Sequence, residues 1–146
     1  MVLSQGPNVQ AGALLKLSVI ARSAQLTAHN FHNTNTGPTW ASDHAFFADL
    51  YSTYEGIYDD LIERLIGTGS PPDLIKVQQF AVQRLKKVPI SVEEMFSTIA
   101  MIEEEIREVI EDAAESNELS QGVLNLLAGI ADESEKRSYK VQQRLA

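Results

Sequence analysis

The chain has no cysteine among its 146 residues and contains little glycine (8) or proline (5). Without thiols, both a disulfide framework and a thiolate metal site are excluded. No apolar run reaches the roughly 20 residues that a membrane-spanning helix needs, and the N-terminus lacks the basic and apolar regions of a secretory signal. These absences predict a mostly helical, cytoplasmic protein with no membrane anchor.

Positive charge is also scarce, since 12 basic residues face 20 acidic ones and the net charge is −8. Nucleic-acid binding depends largely on neutralising phosphates, and no basic residue precedes Lys16. DNA binding through the N-terminal arm is therefore not expected. One basic cluster lies near the C-terminus, and we interpret it as complementing the end of the last helix. Its members are Lys136, Arg137, Lys140 and Arg144.

Apolar residues recur at helical spacing in five segments, which are separated by stretches rich in glycine, proline and asparagine. A short arm over residues 1–8 precedes a single predicted domain over 9–146. The predicted helices cover about 9–34, 39–66, 73–84, 92–116 and 121–144. Ser91 with Glu94 three residues later is typical of a capping box that opens the fourth of them. Four long helices and one short helix predict an all-α four-helix bundle.

Four polar residues in the stretch from 32 to 63 have the side chains of metal ligands. They are His32, His44, Asp59 and Glu63. Imidazole and carboxylate together suit iron, zinc or manganese. Asp59 and Glu63 are four residues apart and share one helical face. His44 lies 15 residues before Asp59 on the same predicted helix, which separates them by roughly 22 Å at ~1.5 Å per residue.

A metal ion reaches its ligands at only about 2 Å, so one chain cannot bring these four side chains to one ion. If the histidines join the carboxylates, they must come from a second copy of the chain. Two antiparallel copies about a two-fold axis would bring the histidine end of each to the carboxylate end of the other. The spacing therefore favours a metal site between subunits.

The order and spacing of the four residues resemble the ferroxidase signature of the Dps mini-ferritins, the DNA-binding proteins from starved cells, within the ferritin-like superfamily. The Gly37-Pro38 turn after the first histidine supports the resemblance. So does the segment 59–69, which is similar to the family's Asp-x-x-x-Glu-Arg followed by a glycine-bearing helix end. The resemblance covers nearly the whole chain. It implies a ferritin-like four-helix bundle with the short helix between the second and third long helices.

The resemblance also implies a function, that of a mini-ferritin that oxidises Fe²⁺ at intersubunit ferroxidase sites and stores Fe³⁺ in a hollow shell. Hydrogen peroxide is the expected oxidant, in preference to dioxygen, and the expected result is protection against oxidative damage. Iron is the expected cofactor. The expected partner is the chain itself, in a homo-oligomer that is a dodecamer with metal sites at its two-fold interfaces. The implied catalytic and metal-binding residues are His32, His44, Asp59 and Glu63.

The chain departs from the family pattern at two positions. The family's acidic residue four after the second histidine is Ala48 here, which affects the second metal position. The tryptophan that usually follows the first histidine is Asn33. Asp49, beside Ala48, and His29, one turn before the first histidine, are candidate assistants of the site, and His29 is alternatively an interface residue.

The third long helix is strongly acidic, which usually indicates a solvated face and in a shell can also border a cavity or an entry pore for Fe²⁺. By resemblance, Glu115, Asn117 and Glu118 lie near a three-fold entry pore. No histidine has glutamate three residues before it, so the di-iron site of ordinary ferritins, built from Glu-x-x-His, is excluded. Two alternatives remain: a DNA-condensing shell with secondary ferroxidase activity, and a structural or binding shell whose metal site is degraded.

Overall fold

The computed structural model describes residues 8–146, and the predicted N-terminal arm lies outside these residues except for Asn8. Five α-helices and no strands form the regular structure of the described part. They are α1 (Val9–Thr34), α2 (Trp40–Gly67), α3 (Leu74–Gln83), α4 (Val92–Glu115) and α5 (Gln121–Leu145). Every helix end lies within one residue of the prediction, because the glycine, proline and capping signals mark these ends in the sequence.

Four of the five helices begin at a side chain that caps the unpaired backbone N–H groups of the first turn. The side-chain oxygen of Ser91 accepts from the N–H of Glu94, which is one of the two bonds of the predicted capping box. The other three caps are Asn8, Asp73 and Ser120. The exception is α2, whose N-cap residue Thr39 makes no such bond.

The long helices pack as a bundle, with α1 against α2, α4 against α5 and α1 against α4, while the short α3 contacts α1. Apolar side chains at helical spacing meet in one core. Its fully buried members include Leu14, Leu17, Phe47, Leu61, Leu65, Ile99, Ile106 and Leu127. No helix within residues 8–146 has both the length and the apolar character needed to cross a membrane.

One carboxylate lies in the middle of this core, because Glu103 of α4 shares the helical face of Ile99 and Ile106 and has no solvent exposure. Its oxygens accept from the Tyr54 hydroxyl at 2.6 Å and from the Ser134 hydroxyl at 2.7 Å. The interpretation of the acidic helix as a solvated or cavity-lining face is therefore wrong for Glu103, which ties α4 to α2 and α5.

The positive partner of Glu103 is Arg137 of α5, whose Nε lies 2.7 Å from one carboxylate oxygen and whose Nη2 lies 3.1 Å from the other. Burial and the charge of Glu103 raise the pKa of Tyr54 well above its ordinary value, so the phenol keeps its proton and donates it. Arg144 likewise reaches a carboxylate on another helix, Asp43 of α2. The interpretation of the basic cluster as a complement to the helix end is thus incomplete, since two of its members form interhelical ion pairs.

We expect Arg137→Ala to lower the free energy of unfolding by about 3–5 kcal/mol, because it leaves the Glu103 charge buried and unpaired. Urea denaturation at one fixed subunit concentration measures the change. Lys136→Ala is the matched control: it removes the neighbouring positive charge, whose pairs with Asp132 and Glu133 are solvent-exposed and contribute little. Equal stability of the two variants would contradict the role assigned to the buried pair.

Candidate metal centre

The corner between α1 and α2 brings two histidines together. Gly37 has a φ of 107° in this connection, a backbone conformation that glycine adopts at no steric cost. The buried Asn35 donates its side-chain amide to the Trp40 carbonyl at 3.2 Å. The chain therefore reverses direction within a few residues, and His32 in the last turn of α1 lies against His44 near the start of α2.

The two imidazole rings stack with their centroids 3.7 Å apart and their planes 21° apart. The Nδ1 of His32 lies 2.9 Å from the His44 carbonyl oxygen, and the Nδ1 of His44 lies 2.8 Å from the His32 carbonyl oxygen. A carbonyl oxygen can only accept, so each Nδ1 carries the hydrogen. Each neutral ring then keeps the lone pair on Nε2, which is the tautomer that binds a metal through Nε2.

Aromatic rings surround this pair. Trp40 stacks on His44 at 4.4 Å between centroids, and Tyr51 meets His32 edge-on at 5.4 Å. Trp40 is the only tryptophan of the chain, and it is 46% exposed. His29, the third histidine of the chain, stacks on Tyr51 at 4.2 Å and lies 6.1 Å from the His32 ring. All three histidines thus belong to one cluster.

The two predicted carboxylate ligands lie elsewhere on the same helix. Asp59 and Glu63 are exposed near the C-terminal end of α2, which runs without interruption from Trp40 to Gly67. The neighbouring Tyr58 is buried and accepts a hydrogen bond from Gln78 of α3 at 2.7 Å. Within the described residues, no group of three or more histidine, aspartate or glutamate side chains is close enough to hold one metal ion. The single chain brings the histidines together and leaves the carboxylates apart, as the spacing along one helix requires.

The remaining candidates are exposed. Asp49 lies at the surface of α2 beside the half-buried Ala48. Glu115 ends α4, and Asn117 takes a positive φ of 58° in the turn that leads to α5. The backbone N–H of Glu118 donates to the Ser116 hydroxyl at 3.1 Å, which fixes this turn. The assistant role of Asp49 and the pore role of the α4–α5 turn stay predictions.

Asp43 is a residue of the site region that sequence reasoning missed. It directly precedes His44, is only 2% exposed, and accepts from Arg144 through both carboxylate oxygens at 3.0 Å. The Thr39 hydroxyl donates to it at 2.7 Å. A signal was available, since Asp43 lies four residues before Phe47 on the buried face of α2. An acidic residue on an apolar face predicts a buried partner.

Burial by itself would raise the pKa of the Asp43 carboxyl, but the hydrogen bonds from Arg144 and Thr39, together with the charge of Arg144, lower it below its ordinary value. The ionised form is therefore the one that the fold stabilises. The Arg144 guanidinium also lies 4.8 Å over the Phe96 ring of α4, so the start of α2 is joined to both α4 and α5.

Comparisons with known proteins support this architecture. The profile of the ferritin-like domain family matches residues 14–146. Among solved structures, Dps from Staphylococcus aureus has a TM-score of 0.85 at 22% identity, covering 94% of this chain and 95% of that one. Dps from Bacillus brevis has a TM-score of 0.80 at 22% identity, with 97% and 99% covered.

Dps from Thermosynechococcus elongatus has a TM-score of 0.81 at 20% identity, covering 100% of this chain and 96% of that one. A comparison with curated protein sequences found no match. At this level of identity the structures establish the fold. The predicted all-α, ferritin-like bundle with a short helix between the second and third long helices is confirmed.

The lowered pKa of Asp43 makes a prediction about acid stability. The pKa of Asp43 is lower in the folded state than its ordinary value near 3.8, which applies to the unfolded chain. Ionised Asp43 therefore stabilises the folded state above this pH, and the stabilisation is lost as the pH falls through the folded-state pKa. Asp43→Asn should therefore be less stable than wild type at pH 7, and the difference should narrow below about pH 4. Urea midpoints across this range measure it, with the exposed Asp60→Asn as the control that shows no such trend. A difference for Asp43→Asn that does not change with pH would contradict the prediction.

Proposed function

Because this chain belongs to the ferritin-like domain family, we propose that it is a mini-ferritin that oxidises Fe²⁺ at sites shared by two subunits and stores the Fe³⁺. The observation that carries the proposal is the histidine pair. Each ring is placed to donate through Nδ1 to the carbonyl of the other residue, and in the neutral imidazole this leaves the lone pair on Nε2. Such a hydrogen bond fixes the ring orientation and the tautomer of a metal-binding histidine.

Asp59 and Glu63 would complete the site from a second copy of the chain. Both are exposed, and their spacing on α2 places them on one face, where they can bind one ion together. In a two-fold dimer with antiparallel α2 helices, the histidines of each subunit meet the carboxylates of its partner, and two equivalent sites result. Such dimers would assemble into the proposed dodecameric shell.

Fe²⁺ is the substrate of this site. Imidazole nitrogens bind the ferrous ion, while the negative carboxylates stabilise the higher charge of Fe³⁺ and so favour loss of an electron. Two ferrous ions give up one electron each, and one hydrogen peroxide accepts both electrons and two protons to form two water molecules. The reaction removes ferrous iron and peroxide together, which are the two reactants that generate hydroxyl radicals. Protection of DNA then needs no contact with DNA.

The charge of the chain favours iron over nucleic acid as the partner. The net charge of −8 and the exposed Glu115 and Glu118 would attract a divalent cation toward an entry pore. Arg137 and Arg144 are already paired with carboxylates of other helices. This leaves less positive charge at the surface for phosphates.

Replacing both carboxylates tests the site. We expect the variant with Asp59→Ala and Glu63→Ala to lose rapid iron oxidation, because the partner's share of the ligands is gone. The protein is loaded anaerobically with Fe²⁺, hydrogen peroxide is added, and ferric absorbance is followed, with size-exclusion chromatography to verify assembly. Asp60→Ala is the matched control, since its side chain is exposed about 100° away around the helix. Wild-type oxidation by the double variant would refute the assignment.

Complementation tests whether the site lies between subunits. One variant lacks both histidines (His32→Ala, His44→Ala) and the other lacks both carboxylates (Asp59→Ala, Glu63→Ala). Coexpressed in equal amounts, they should form mixed shells with about a quarter of the wild-type sites, because a mixed dimer holds one complete site and half of the dimers are mixed. Each variant alone should be inactive. Mixed shells without activity would contradict a site built from the histidines of one subunit and the carboxylates of another.

A further inference from the structure

We propose that Arg144 of α5 is a positioning residue for His44, which it holds in place through Asp43 and Thr39. The inference rests on the proposed function, because it concerns how the histidine pair is kept ready for a metal ion. Arg144 does not touch the proposed ligand. It acts on the first turn of α2, from which Trp40 and His44 project.

The contact has the geometry of a strong, oriented interaction. The Nε of Arg144 lies 3.0 Å from one oxygen of Asp43, and its Nη2 lies 3.0 Å from the other. A two-point bond between a planar guanidinium and a carboxylate fixes direction as well as distance. The Asp43 side chain is almost fully buried and that of Arg144 is partly buried, so solvent reaches the pair only from the Arg144 side. Nη2 also donates to the Thr39 hydroxyl at 3.1 Å.

The first turn of α2 lacks the side-chain N-cap that the other helices have. A side chain caps each of the other four, whereas the Thr39 hydroxyl donates to Asp43 and leaves the N–H groups of the first turn without a side-chain cap. The bonds among Thr39, Asp43 and Arg144 offer no acceptor to these N–H groups, but they tie the first turn of α2 to α5. They define where α2 begins and how its first turn is rotated about the helix axis.

The histidine pair depends on that rotation. The Nδ1 of His44 lies 2.8 Å from the carbonyl oxygen of His32, and the two rings stack at 3.7 Å. Hydrogen bonds weaken steeply with misalignment, so a small movement of the first turn would release His44 from its partner. Residues that orient a metal ligand typically change metal affinity by about 10- to 100-fold when replaced. Arg144 should act on affinity in this way.

The single tryptophan provides a direct measurement. Trp40 stacks on His44 at 4.4 Å, so an open-shell ion such as Co²⁺ bound to His44 should quench its fluorescence. In Co²⁺ titrations of the assembled full-length protein, we expect Arg144→Ala to weaken apparent binding by about tenfold or more. Arg144→Lys keeps the charge and loses the two-point bond, and it should fall between Arg144→Ala and wild type.

Two controls separate positioning from general stability. Arg84→Ala also removes an arginine that pairs with a carboxylate of another helix, Glu105 of α4, and it should leave Co²⁺ affinity unchanged. Arg137→Ala should destabilise the bundle, yet it should also bind Co²⁺ like wild type. In iron oxidation, Arg144→Ala should raise the Fe²⁺ concentration at half-maximal rate and largely retain the maximal rate.

Wild-type Co²⁺ affinity in Arg144→Ala shells would overturn the inference, and so would an equal loss of affinity in Arg84→Ala. If Arg144→Ala does not assemble, Arg144→Lys decides: weakened binding supports the inference, and wild-type binding overturns it. If the proposed function itself is wrong, the measurements would give a different result. In that case wild-type quenching would persist in His44→Ala, and wild-type shells would not accelerate iron oxidation.

Discussion

His44 and Asp59 lie 15 residues apart on one uninterrupted helix, and a helix cannot shorten the distance between its own side chains. This constraint determines what a single subunit can do. The tight turn after α1 pairs the two histidines, whereas the length of α2 keeps the carboxylates of the same subunit at its far end. A complete site of the proposed kind therefore requires a second subunit. Assembly and chemistry are then linked, since a lone subunit has only parts of a site.

The interior of the bundle contains a charged carboxylate. Ordinary ferritins bring carboxylates and histidines to metal ions inside one bundle. Here the carboxylate of Glu103 is neutralised by the guanidinium of Arg137 from α5, with the Tyr54 hydroxyl as a third group. A buried pair of this kind costs desolvation but fixes the relative register of the helices that supply it. The positive group that neutralises the carboxylate inside this bundle is thus a side chain.

Arg144 repeats the arrangement at the end of the molecule where the histidines lie. It pairs with Asp43, directly before His44, so the same helix α5 that neutralises the core carboxylate also fixes the start of α2. The two ion pairs serve different ends. The pair at Glu103 joins the middle of three helices, while the pair at Asp43 holds the turn that carries Trp40 and His44.

The sequence by itself determined the five helices, their ends and the separation of His44 from Asp59, because helix rise, capping and turn residues are local properties. The sequence also places Glu103 and Asp43 on the apolar faces of their helices, a pattern from which their burial could have been predicted. Only the tertiary structure decided which partners those carboxylates take, since Arg137 and Arg144 lie 34 and 101 residues away along the chain. Likewise, residue type and spacing predicted His32 and His44 as ligands. The stacking of their rings, and the hydrogen bond from each ring to the carbonyl of the other residue, depend on how α1 and α2 pack. The packing of distant segments depends on many weak contacts acting together, and these cannot be read from a local sequence pattern.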